Sequence, residues 1–274
     1  MLKPLIAIIT ALAVFILIFL TFYALKGGRQ IHYIKSKGEI RVISLIPSVT
    51  ETLFFIGAGG SVKGRTRYCA YPPEVRQIPE LGGLFDINYE GIISLSPDIV
   101  ILSELQRDAA ARLKTLGINY LTVNHNDFNG VLQSFSLIGE AVGKDTTDIV
   151  DALNDRIAAI RQRAAAYPPK KVVVAVSREA GRFIIAGGDG FYSEALKILN
   201  VENPFADSAP YTAISREALL RLKPDLLIAL SYYEQTDDDK DGACIVSGSF
   251  GYTPGPRFPL LLESFARCIY PEKN

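Results

Sequence analysis

Few side chains in this 274-residue chain are typed and spaced for making or breaking bonds. His32 and His125 are the only histidines, too few for the cluster of imidazoles and carboxylates that a transition-metal site requires. Ser177-Arg178-Glu179 offers a nucleophile and Gly187-Gly188-Asp189-Gly190 a glycine-rich turn. There is no Gly-x-Ser-x-Gly elbow and no Walker sequence beside them, and glycines after a strand more often serve a tight turn or close backbone approach than phosphate binding. Asp237, Asp239, Asp241 and Gly242 stand at the first, third, fifth and sixth positions of a calcium loop, but Gly248 holds the twelfth, where a bidentate Glu is needed. That stretch reads as a solvated loop. No catalytic residue and no metal ligand is expected.

What remains is the chemistry of recognition, and its clearest sign is a phrase written twice. Glu90-Gly91-Ile92-Ile93-Ser94-Leu95-Ser96-Pro97-Asp98-Ile99-Val100-Ile101 returns as Glu217-Ala218-Leu219-Leu220-Arg221-Leu222-Lys223-Pro224-Asp225-Leu226-Leu227-Ile228. Each copy predicts a short amphipathic helix, a Pro-Asp turn that stops it, and one buried strand. Each Glu falls near a helix N-terminus, where the dipole favours a carboxylate. One such Glu is ordinarily a solvated cap; two at equivalent positions of a duplicated unit suggest two lobes with matched acidic points.

The elements upstream repeat as well. Residues 39–45 read as a strand and 48–57 as a capped helix ending at Gly57; residues 171–176 and 193–200 are their counterparts. Strands alternating with helices predict an α/β fold of two Rossmann-like lobes with mainly parallel sheets. Between them, residues 145–166 place Ile149, Leu153, Ile157 and Ile160 on one helical stripe, with acids early and Arg156, Arg161 and Arg163 late, as the macrodipole favours. This single long helix is expected to join the lobes. The domain expectation is a signal or anchor segment over 1–30, a first lobe over 38–143, the linking helix over 144–167 and a second lobe over 170–274.

Formal charge sums to zero, with 29 basic and 29 acidic residues, and nothing in that balance suggests nucleic acid. Residues 5–25 carry no charge and are nearly all apolar, long enough to cross a bilayer as one helix. The apolar run exceeds the usual signal-peptide length, and Phe22 and Ala24 stand where an A-x-A-like cleavage site belongs, so a retained anchor is favoured over a cleaved signal. Cys69, Cys244 and Cys268 are an odd set, allowing at most one internal disulfide; Cys244 with Cys268, both of the second lobe, is the preferred pair, and free buried thiols fit as well.

Several of these stretches together resemble a known family. RVISLIPSVTETLFFIGAG at the first strand and helix, Tyr71-Pro72-Pro73, INYEGIISLSPDIVIL, the linking helix, ISREALLRLKPDLLIAL and PGPRFPLLLESFARC occur in the order found in substrate-binding proteins of ABC importers, of the class with one rigid connecting helix. The resemblance covers residues 41–274 and is strongest to cobalamin-binding members. It implies a periplasmic or extracellular protein, secreted or tethered, probing a small-molecule ligand in the interlobe cleft. It also implies a permease dimer with its ATPase as partner, a monomeric state, and no resident cofactor; cobalamin or a ferric chelate would be the ligand. By the same resemblance Glu90 and Glu217 dock against permease arginines, and Tyr68, Tyr211 and Phe250 contact the ligand; Pro47 and Ser48, at the tip of the first strand, are further candidates through backbone contact, and Phe85 with Leu84 puts phenyl and aliphatic groups at a cleft position. Cobalamin binders often use Trp in this cleft, and this chain has none. Siderophore binders of the class often use Arg, and Arg65, Arg67, Arg178 and Arg182 fall in loops able to face the cleft. A ferric-siderophore or haem carrier, or a tethered sensor without transport, therefore stands as the alternative.

Overall fold

The computed structural model describes residues 39–179, 181–232 and 242–270. The apolar segment 5–25, His32 and most of the acidic loop, Asp237 to Asp241, lie outside them. Among the described residues no helix is long and apolar enough to cross a membrane.

The first half builds a sheet in the order β2-β1-β3-β4, from β1 (Val42–Ser44), β2 (Val62–Arg65), β3 (Ile99–Ser103) and β4 (Tyr120–Val123). All three pairings are parallel. Helices α1 (Pro47–Phe55), α2 (Tyr89–Ser94), α3 (Arg107–Thr115) and α4 (Phe128–Val142) alternate with the strands, and Ile43, Leu45, Val100, Leu102 and Leu113 form part of the core they share. Helix α5 (Thr147–Ala164) then buries Leu153, Ile157, Ile160 and Ala164 along one stripe. Its 18 residues span about 27 Å at ~1.5 Å per residue.

The second half differs from its expected pattern. Its sheet runs β7-β6-β5-β8-β9, from β5 (Val172–Glu179), β6 (Arg182–Ala186), β7 (Tyr211–Ser215), β8 (Leu226–Ser231) and β9 (Cys244–Ser247). β5 pairs in parallel with β8, and β8 with β9, but β6 and β7 are antiparallel additions. This sheet is mixed. The hairpin turns at Gly181, whose φ of 75° favours glycine. Phe183-Ile184-Ile185 hid the strand, since an unbroken apolar triplet carries no alternation to read. Helices α6 (Phe191–Ile198), α7 (Arg216–Leu222) and α8 (Phe258–Ile269) complete the lobe. Ser215 ends a strand and caps α7 instead of opening the helix. A disulfide joins Cys244 of β9 to Cys268 of α8, while Cys69 is free and buried.

The duplicated phrase has a structural cause. Asp98 accepts a hydrogen bond from the Arg41 backbone N–H at 2.8 Å and returns its own N–H to the Arg41 carbonyl at 2.9 Å. Asp225 does the same with Lys171, at 2.7 and 2.9 Å. In both lobes the Pro-Asp turn thereby fixes the start of the first strand against the start of the strand that follows the helix. Ser96 and Lys223, immediately before each proline, both take positive φ, 44° and 48°, so the sharp reversal is itself repeated.

Candidate binding cleft

Because β1, β3 and β4 run parallel, the loops leaving their C-terminal ends lie along one edge of the first sheet, where α/β folds place binding loops. Several contacts join that edge to the second lobe. Glu51 of α1 is 4% exposed and takes a bidentate pair from Arg257, at 2.8 and 2.6 Å. Arg257 also donates to Ser249 Oγ at 2.9 Å and lies 4.0 Å over the Tyr71 ring. Burial outweighs the Arg257 partner and holds the Glu51 carboxyl above its ordinary pKa. Beside this pair, the Phe128 N–H donates to Glu194 Oε2 of α6 at 2.7 Å, and the Phe128 ring packs against Phe191 and Phe258, with centroids 4.7 and 5.0 Å away. On the flank, Arg156 of the linking helix bonds Glu263 of α8 at 2.9 Å.

Two adjoining cavities open between these contacts. The deeper recess, about 130 Å³, is walled by His125 and Asn126 from the first lobe, and by the turn 186–190, Tyr192, Tyr211 and Pro254 from the second. A broader space of about 730 Å³ extends outward past Leu105, Asp127, Glu194 and Lys197. Asn126, Asp189, Gly190, Pro210 and Tyr211 border both.

His125 is held in one state by its neighbours. Ser134 Oγ donates to the Val131 carbonyl at 2.6 Å, so it accepts from His125 Nε2–H at 2.8 Å. Nδ1 is then the acceptor, and Ser48 Oγ–H donates to it at 2.6 Å. Burial favours the same neutral ring and lowers its pKa to about 4. Ser48 is thus committed to His125, buried, and covered by the loop at Gly255, where an added Cβ would lie 3.3 Å from the Ser48 Cα.

Of the ligand-contact candidates, Tyr211 lines both cavities. Pro47 is the first residue of α1. Tyr68 and Phe85 project from loops beside β2, 51% and 100% exposed, and Phe250 sits in a 3-10 turn with its ring over Gly248. None of Pro47, Ser48, Tyr68, Phe85 and Phe250 lines either cavity, although Tyr68, Leu84 and Phe85 form an exposed apolar group on neighbouring loops. The candidate cleft arginines lie elsewhere too. Arg65 turns inward to the Val75 and Thr66 carbonyls; Arg67 forks onto Asp86, which keeps that carboxyl below its ordinary pKa. Arg178 lies 6.0 Å over the Phe183 ring, and neither it nor Arg182 borders either of these two cavities.

Glu90 and Glu217 occupy matched surroundings. Both are exposed in the first turn of a short helix, capped by Asn88, which accepts from the Gly91 N–H at 2.8 Å, and by Ser215, which accepts from the Ala218 N–H at 3.2 Å. A side-chain hydrogen bond with Ser215 keeps the Glu217 carboxyl below its ordinary pKa.

Sequence reasoning missed the roles of His125, Asn126, Glu51 and Arg257. A legible signal existed for the first two: the polar run Asn124-His125-Asn126-Asp127 directly after an apolar strand marks a strand-end loop. Nothing local marks Glu51 and Arg257, which meet across 206 residues.

Comparison with known proteins agrees with this architecture. The family model described as "Periplasmic binding protein" matches residues 42–243. An ABC transporter substrate-binding lipoprotein of Bacillus subtilis, YvrC, is 30% identical over 85% of this chain and 80% of its own length. A vitamin B12-binding protein of Photorhabdus laumondii is 28% identical over 72% of each chain. Among solved structures, the periplasmic heme-binding protein RhuT of Roseiflexus sp. RS-1 shares the fold with a TM-score of 0.72 at 22% identity, over 85% of this chain and 98% of its own. Two sheets bridged by one helix, a cavity at the strand ends between them, and these matches place the chain in the periplasmic binding protein family.

Proposed function

We propose that this protein is the extracytoplasmic solute-binding component of an ABC importer, that it captures a corrinoid of the cobalamin type between its lobes, and that it delivers this ligand to a permease dimer. The observation that carries the ligand assignment is the charge of the cleft. Among the described residues its two cavities are bordered by Asp127, Asp189 and Glu194 against the single ammonium of Lys197, and the four candidate arginines are outside their walls. A polyanionic ferric chelate or a haem with two propionates would bring like charge into that space, whereas a corrinoid presents a periphery of neutral amides. The broad outer cavity and the exposed Tyr211 ring on its wall suit a large flat ligand, since aromatic groups supply area at small cost in rotamer entropy.

Delivery rests on Glu90 and Glu217. Two carboxylates held by equivalent capped helices on opposite lobes suit a two-fold-related pair of basic pockets on the permease. The ligand reading is tested by calorimetric titration of the full-length protein in detergent with cyanocobalamin, cobinamide and a panel of ferric siderophores. One-to-one binding of the corrinoids is expected; binding of a ferric chelate alone, or of nothing, would overturn the assignment. In the Glu90→Lys/Glu217→Lys double variant, corrinoid affinity is expected to stay within about threefold while transport by the cognate permease is lost.

A further inference from the structure

The glycine-rich turn Gly187-Gly188-Asp189-Gly190 forms one wall of the deeper recess. A Cβ at Gly187 would fall 1.9 Å from the Ala209 carbonyl oxygen, and one at Gly188 2.4 Å from that of Ser208. The turn is therefore pressed onto the strand entry at 208–210. Gly190 then takes φ 141°, outside the range of an ordinary residue. Between them stands Asp189, exposed at the junction where the recess meets the broad cavity. Neither glycine neighbour can be replaced without strain, so the carboxylate is presented from a fixed backbone.

The recess volume of about 130 Å³ equals several water volumes at ~30 Å³ each. It has room for one short side arm and none for a corrin macrocycle. Among the described residues its lining contains one carboxylate and no lysine or arginine. The imidazole of His125 contributes no charge at neutral pH, being lowered to about 4 by burial and fixed as the Nε2–H form by Ser48 and Ser134. The Tyr192 hydroxyl is spent on the Gly251 carbonyl at 2.7 Å. Asp189 is thus the one charged group among the described residues that line the recess, and as a carboxylate it can accept hydrogen bonds without donating any.

We infer that this recess is a specificity subsite that admits one neutral, hydrogen-bond-donating side arm of the ligand, a carboxamide, and that Asp189 rejects the same arm as a carboxylate. The inference rests on the corrinoid reading, and narrows it: the protein would distinguish an intact amide periphery from a hydrolysed one. The amide N–H donates to Asp189, whereas the acid offers a second negative charge within a few ångströms in a partly enclosed space, where repulsion is weakly screened.

The test compares cyanocobalamin with its three monocarboxylic acids, each carrying one peripheral propionamide hydrolysed, titrated at pH 7 into the full-length protein. At least one isomer is expected to bind ten times or more weakly than cyanocobalamin. In Asp189→Asn, and in Asp189→Ser as a second variant, that ratio is expected to fall to within threefold. Binding of all three acids within threefold of cyanocobalamin by the unsubstituted protein would overturn the inference and leave the corrinoid reading standing. An unchanged ratio in both folded variants would overturn the role of Asp189. Failure of any corrinoid to bind the unsubstituted protein would overturn the corrinoid reading, and this inference with it.

Discussion

His125 shows how a single residue type can mislead when only its chemistry is considered. An isolated histidine in a cleft suggests a base or a ligand, but here both ring nitrogens are occupied by serine hydroxyls and the ring is held neutral. Its folded pKa of about 4 lies below the ordinary value near 6.5. Protons therefore bind the unfolded chain preferentially as pH falls from about 6.5 toward 4, and stability present at neutral pH is lost across that window. The loss attributable to this ring is on the order of 2–3 kcal/mol. Urea unfolding at pH 7 and pH 4.5 checks it: His125→Asn is expected to be less stable than the natural protein at pH 7, from its lost hydrogen bonds, and to show a smaller drop on acidification. An equal drop in both proteins would contradict the assignment.

At the scale of elements, the repeated Glu…Leu-x-Pro-Asp phrase was legible because helix, stop and strand are local. Helices α2 and α7 and strands β3 and β8 follow from it within a residue or two. The β6–β7 additions were not legible. β6 lacks alternation, and the alternating β7 strand leads straight into a helix whose cap, Ser215, is also its last residue. What the phrase did not disclose is the job of its aspartates, each of which pins a backbone N–H more than fifty residues away in sequence. A carboxylate hydrogen bond of this kind contributes about 1.5–3 kcal/mol when its partner is left unpaired, less where water can replace it. Asp98→Ala and Asp225→Ala are each expected to lower stability by about 1–2 kcal/mol. Thermal unfolding of both variants, with similar losses in the two lobes, would support the equivalence of the turns; a loss in one alone would break it.

At the largest scale, the described residues form two lobes joined by one helix. Helix α5 alone would leave a hinge at either end, but the Glu51–Arg257 pair and the Phe128–Glu194 bond join the lobes directly, and the Arg156–Glu263 pair fixes the helix to the second lobe. Such ties favour a preformed cleft and small closure on binding, which reduces the ordering cost of capture. Glu51 is the most exposed to loss of its partner, since removing Arg257 leaves a buried carboxylate without compensation, at about 3–5 kcal/mol. Arg257→Ala is expected to unfold at correspondingly lower urea at pH 8. The deficit should narrow toward pH 5, as Glu51, already raised in pKa by burial, takes up a proton. A deficit independent of pH would show that packing on Tyr71, and not charge, is the main contribution of Arg257. The ligand was the least legible property in the sequence, because the residues bordering the cavities come from several separate loops and from helix α6, and only Tyr211 among them was singled out as a ligand contact. The cleft's excess of carboxylates emerges only once those loops are assembled.

Corrinoid binding in this acidic cleft edged by Tyr211 is the proposal on which the others depend. Its most direct test is a pair of equilibrium titrations, cyanocobalamin and haemin, against one preparation of the full-length protein and its Tyr211→Ala variant. The account predicts one-to-one binding of cyanocobalamin at least tenfold tighter than haemin, weakened about tenfold by Tyr211→Ala. Tighter binding of haemin, or corrinoid binding indifferent to Tyr211→Ala, would contradict it.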